Sequence, residues 1–301
     1  MKTRFLPLLC CLAWIGVLTD LEAGEYRRFP TTISPDGAYV LGWGQRDQKE
    51  EALAGLKDIT GQEDEHFNID DDLENYLVDA VKGQPLAVIP EFHYFSGPEG
   101  HQNHHDLQVA WSPDGKGALA IYDGRWEYSA MVWIEPQSRR FTEVGKSMEA
   151  AFRRLLAKRE KSKDAGAVSF QNPIVPKPGT LIVEGWAQVP KSLEDPVYHY
   201  RLKFQVSGSE GKIRLELIKS ALFSDADDQK MYAGTESASA DQSLNKVYGQ
   251  WRATLNDAGK EALKQEQLRW LKARDTIKGE PSQDEYTVHR IRELRTRVEG
   301  W

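Results

Sequence analysis

The 301-residue chain has two cysteines, and both, Cys10 and Cys11, fall in its opening stretch. Lys2 and Arg4 give that stretch a positive start, Phe5 to Leu18 an apolar run, and Thr19 to Ala23 a polar turn ending on a small residue. This is the pattern of a cleaved export signal. An N-terminal membrane anchor is the competing reading, but the apolar run falls short of the ~20 residues that cross a bilayer. Removal of a leader from Met1 to about Ala23 predicts a periplasmic or secreted protein with no thiol and no disulfide. No later run is long and apolar enough to span a membrane, so no transmembrane segment is expected after cleavage. Positive charge is also in deficit: 39 Lys and Arg against 46 Asp and Glu leave a net charge of -7, which disfavours a nucleic-acid partner. A nucleophile elbow, a phosphate-binding glycine loop, a zinc-protease helix and a haem-attachment pair are all missing. With no local signature of catalysis, no catalytic residue and no cofactor is predicted.

What the chain does have is two regions of different period, which predicts an α+β protein. From Tyr26 to Phe223 short apolar runs alternate with Gly, Pro and Asp clusters, the pattern of β structure. Expected strands are Tyr39 to Trp43, Leu86 to Ile89, Leu107 to Trp111, Ala118 to Tyr122, Ala130 to Ile134, Leu181 to Val189, Tyr198 to Val206 and Ile213 to Ile218. Gly208 to Gly211 reads as a hairpin turn. One helix interrupts the region, from about Ser147 to Lys161, with Met148, Ala151, Phe152 and Leu155 on one face.

Ser34-Pro35-Asp36-Gly37 recurs as Ser112-Pro113-Asp114-Gly115, each before an apolar strand, with Pro presetting the turn and Gly taking its strained position. Residues 30–145, above all Val109 to Lys116, resemble the repeats of TolB-type and WD40-like β-propellers. A closed propeller needs at least four blades and two are clear here. A partial propeller and a β-sandwich both stay open for residues 24–224.

Residues 225–239 are small and polar and read as a linker. Beyond them Leu244, Val247, Tyr248, Trp251 and Leu255 fall at helical spacing. Asn256 or Asp257 can cap a second helix bearing Ala262, Leu263, Glu266, Trp270 and Ala273. Gly279 and Pro281 end it. A third helix is expected from about Gln283 to Glu299, with Tyr286, Ile291, Leu294 and Val298 as its stripe. None can hide an apolar face alone, so residues 240–301 predict a small antiparallel bundle.

Within about 237–301, Leu244-Asn245 with Tyr248, Gln267 with Trp270, and Arg274-Asp275 resemble the signature of the LprI-like lysozyme-inhibitor N-terminal domain. The resemblance implies a small helical domain of an exported protein and a lysozyme-type partner. It departs in one respect: a cysteine is usual just after the Arg-Asp pair, whereas Thr276, Ile277 and Lys278 follow here. Read from residue chemistry, Leu244, Tyr248, Trp270 and Leu271 form core, Asn245 makes a helix-to-helix hydrogen bond, and Arg274 with Asp275 forms an ion pair. Partner binding by the same positions is the functional alternative.

His93, His101, His104, His105 and Asp106, near Glu91, concentrate side chains that could bind zinc or copper, although their spacing is that of no familiar motif. A solvated polar loop is the plainer reading. Asn68, Asp70, Asp72, Glu74 and Asp79 fall at calcium-loop positions, but Leu73 stands where the turn wants Gly. Two functions result: a non-enzymatic envelope protein that binds lysozyme or a related wall-degrading enzyme, with inhibition as the expected consequence, or a metal-dependent or hydrolytic enzyme with its site at 93–106. From Asp241 onward the chain carries 12 basic and 10 acidic residues, so the negative charge belongs to the β region. A cationic lysozyme would be steered by that region more than by the helices.

Overall fold

The computed structural model describes residues 26–45, 73–97, 100–101, 106–123, 128–159, 166–188, 197–222, 240–275, 277 and 283–301. The expected leader and linker lie outside these residues. Three antiparallel sheets of four strands each form the β region. The first runs β1 (Tyr26–Arg28), β2 (Tyr39–Gln45), β3 (Leu73–Asp79), β4 (Gln84–Ile89), with a 3-10 turn at Pro30–Thr32. A two-stranded pairing, β5 (Ser96–Gly97) and β6 (Gly100–His101), follows. The second sheet comprises β7 (Asp106–Trp111), β8 (Ala118–Asp123), β9 (Tyr128–Glu135) and β10 (Arg140–Glu143). Helix α1 (Gly145–Arg159) leads to the third: β11 (Val168–Lys177), β12 (Thr180–Gln188), β13 (Val197–Ser207) and β14 (Arg214–Leu222). Each sheet is a meander of sequence neighbours. Among the described residues they close into no barrel, and three sheets fall short of the four blades of a closed propeller.

The second sheet is the middle layer, because side chains alternate across a strand. Ala118, Ala120 and Tyr122 join Leu41, Trp43 and Leu77 of the first sheet in one core. Leu119 and Ile121, on the opposite face of β8, join Phe170, Leu181, Leu202 and Phe204 of the third sheet in another. Strand β9 does the same, with Val132 and Ile134 on one side and Met131 and Trp133 on the other. Burying each such Leu or Ile contributes about 1.5–3 kcal/mol, so a strand buried on both faces is well pinned. Helix α1 covers the second core with Met148, Ala151, Phe152 and Leu156. Leu156 rather than Leu155 is the fully buried leucine of that helix.

The repeated turns are alike atom for atom. Ser34 Oγ donates to Asp36 Oδ1 at 2.6 Å and accepts from Tyr39 N at 2.9 Å. Ser112 Oγ donates to Asp114 Oδ1 at 2.7 Å and accepts from Gly117 N at 3.0 Å. They also adjoin: Trp111 Nε1 donates to Thr32 O at 2.8 Å, and a Cβ on Gly115 would lie 2.8 Å from Asp36 Oδ2.

Three further helices follow: α2 (Ala240–Ala253), α3 (Asp257–Arg274) and α4 (Gln283–Val298). Asn256 caps α3 by accepting from Gly259 N at 2.8 Å. Leu244, Val247, Leu263, Ile291 and Leu294 form their core. Val298, expected in the buried stripe of α4, is exposed. The helices are not separate from the sheets. Helix α4 packs on β11 and α3 touches the 3-10 turn at Pro30–Thr32. Arg201 Nη1 of β13 lies 3.1 Å from Glu299 Oε2, and Arg292 Nε of α4 lies 4.0 Å from Glu184 Oε1 of β12.

Candidate partner-binding groove

Helices α2 and α3 run antiparallel, since Asp241 at the start of one meets Arg274 at the end of the other, Nη1 to Oδ1 at 2.6 Å. Between them opens a groove of about 310 Å³. Leu244, Tyr248, Leu268 and Leu271 supply its apolar surface, and Asn245, Lys264 and Gln267 its polar groups. Five signature residues, Leu244, Asn245, Tyr248, Gln267 and Arg274, therefore converge on one concavity. Leu244 is buried and Tyr248 half-buried against the bundle core, whereas Leu268 is 51% exposed. The Asn245 side chain is exposed and hydrogen-bonds no other described residue, so the expected helix-to-helix bond is not formed among them.

The two other signature residues, Trp270 and Asp275, do not line the groove. Trp270 stacks on Tyr286 of α4, ring centroids 5.3 Å apart at 7°, and the Arg274 guanidinium lies 5.3 Å from the Trp270 ring. Arg274 Nε is 3.5 Å from Asp275 Oδ1, so Asp241 is its closer partner. Gln267 Oε1 accepts from Arg290 Nε at 3.2 Å.

Behind Gln267 sits a four-membered ionic network that sequence reading missed. Arg290 Nη1 donates to Glu266 Oε1 at 2.8 Å and to Glu293 Oε2 at 2.5 Å. Arg297 donates to Glu266 Oε2 at 3.1 Å and pairs with Glu293. Burial pushes both carboxyls up, but Arg290 and Arg297 outweigh it, and both are held below the usual carboxylate range. The available signal was the spacing of Arg290, Glu293 and Arg297, which puts three charges on one helical face.

The histidine stretch offers less. His93 Nδ1 donates to Leu73 O at 3.0 Å, which commits that nitrogen to the backbone. Asp106 pairs across the ladder with Asp123. His104, His105 and the His101 side chain lie outside the described residues. Among the described residues no group of three His, Cys, Asp or Glu is placed to hold a metal ion. Glu74 and Asp79 of the calcium-loop pattern lie in strand β3, and Asn68, Asp70 and Asp72 lie outside the described residues.

Two antiparallel helices flanking an open groove, joined to the sheets through α4, make up the C-terminal part. Residues 224–295 match the family described as Lysozyme inhibitor LprI. The match spans α2, α3 and most of α4, and stops short of Arg297, Glu299 and Trp301. Nothing comparable supports the propeller resemblance of residues 30–145. No curated protein and no solved structure matches the chain. No described helix is long and apolar enough to cross a membrane.

Proposed function

We propose that the chain is an exported, non-enzymatic envelope protein whose α2–α3 groove binds a partner protein, with lysozyme or a related wall-degrading enzyme as the target. The observation that carries this reading is the convergence of Leu244, Asn245, Tyr248, Gln267 and Arg274 on one open groove, within the segment that matches the LprI family. The leader-like opening stretch supports export, and residues 240–301 serve as the binding domain on the β region. Leu268 and Asn245 offer exposed contact area at the rim, while Arg274, paired with Asp241, gives it a fixed edge. Electrostatic steering of a cationic partner falls to the acidic β region. A lysozyme-activity assay with added full-length mature protein tests the reading. Inhibition is expected, with at least tenfold weakening in Leu268→Asp and in Asn245→Arg at unchanged thermal midpoint. Absence of inhibition at micromolar excess removes lysozyme as the target.

A further inference from the structure

Strand β13 alternates cleanly: Tyr200, Leu202, Phe204 and Val206 enter the core, so Arg201, Lys203 and Gln205 occupy the opposite face. On that face Lys203 stands directly across from Lys219 of β14. Like charges in direct cross-strand register destabilise a sheet, where an opposite pair would stabilise it. Lys177 joins them, since it pairs with Thr180 and Thr180 in turn opposes Gln205. Partial burial, then Lys177 and Lys219, pull the Lys203 ammonium below its ordinary range. Of the acidic residues on this face, Glu184 stands across from Arg201, accepts from Asn172 Nδ2 at 2.7 Å and lies 4.0 Å from Arg292 Nε, so it is engaged away from the lysines. Glu299 is engaged with Arg201, and Glu216, opposite Gln205, makes no ion pair with a described residue. Lys219 is also held in place, its Nζ 4.0 Å from the centroid of the Trp301 ring, which Arg201 approaches at 5.1 Å. Trp301 lies beyond the residues that match the LprI family.

We propose that Lys177, Lys203 and Lys219 form a binding site for a phosphoryl group, with Trp301 fixing the orientation of Lys219. Three separate ammoniums act as point charges with rotatable donors, which suits a tetrahedral group presenting three oxygens. A planar carboxylate is better matched by the fork of an arginine. A bound phosphoryl group turns the repulsion among the lysines into three attractions, so the arrangement is most stable when occupied. The site is independent of the α2–α3 groove.

Calorimetric titration of the full mature protein with inorganic pyrophosphate, and co-sedimentation with phosphatidylglycerol vesicles against phosphatidylcholine vesicles, test the site and separate its two sources. Binding of pyrophosphate assigns a free phosphate or phosphate ester, and binding of the anionic vesicles alone assigns a lipid headgroup. Either is expected to weaken at least tenfold in Lys203→Gln/Lys219→Gln, with a thermal midpoint no lower than that of the parent, and to weaken in the exposed single variant Lys177→Gln. Lysozyme inhibition should be unchanged in these variants, which separates this site from the groove. No binding in either arm, equal binding by the variants, or acetate binding as tightly as pyrophosphate at matched ionic strength each overturns the proposal.

Discussion

Trp270 and Tyr286 lie face to face across the contact between α3 and α4, their rings 7° from parallel. An aromatic pair contributes about 0.5–1.5 kcal/mol beyond its buried area, and here it also carries Arg274. Trp270→Ala should cost about 2–3 kcal/mol, below the range for a fully buried tryptophan because this one is half-buried. Trp270→Phe should lose less than about 1.5 kcal/mol. Chemical denaturation of the full chain measures both.

Removing one charge from the Glu266, Glu293, Arg290 and Arg297 network strands its partners in a poorly solvated place. Glu293→Gln should destabilise by about 3–5 kcal/mol. Both carboxyls have folded-state pKa values below those of the unfolded chain. Their contribution is therefore present above about pH 4.5 and is lost as pH falls through the depressed folded value. An acid titration followed by circular dichroism should show this loss below about pH 4, and Glu293→Gln should show a smaller one.

Asp123 behaves in the opposite sense. Burial, then the charge of Asp106, push its carboxyl up to about 7. The folded protein keeps a proton that the unfolded chain releases above about pH 4. Stability from this group is complete below that pH, falls as pH rises, and is gone above about pH 7. Asp123→Asn should leave the thermal midpoint unchanged at pH 4 and stabilise the protein by about 1–3 kcal/mol at pH 8.

Gly117 follows the second repeated turn, where a Cβ would lie 2.6 Å from Cζ2 of the buried Trp133. Gly117→Ala should cost about 1–3 kcal/mol through overpacking. Gly249→Ala, with nothing near its Cβ position and a place within α2, should instead stabilise by about 0.5–1 kcal/mol. Paired thermal melts of these two variants check the contrast.

Where period and composition agreed, the fold was readable from sequence: each of the eight expected strands coincides with an observed one, apart from Ile213, which precedes β14, and Val189, which lies outside the described residues, and α1 begins at Gly145 and ends at Arg159. The strands that escaped notice did so for physical reasons. Strand β11 contains Pro173 and Pro176 and places Asn172 at φ 54°, features that argue against a strand. It tolerates them because it edges its sheet and is bulged after Gln171 and again after Ile174. In β3 the buried position of Asn75 breaks the apolar alternation. Its amide bonds Gly42 O and Tyr94 O and accepts from Tyr94 N, so a polar residue fills a core position. The groove was half legible. Motif residues announced its walls, but Lys264 and Leu268 gained meaning only when α2 and α3 were set side by side, and Leu271, expected in the core, lines the groove.

Helix α4 serves two neighbours at once, offering Ile291 and Leu294 to the bundle and Arg292 to Glu184 of β12. Its last turn continues into the Glu299 contact with Arg201. A helix with such double duty is a poor cutting point. Fragments made by dividing the chain near residue 230 would each lose a partner surface, and the intact protein should melt in one step, without the helices peeling away first.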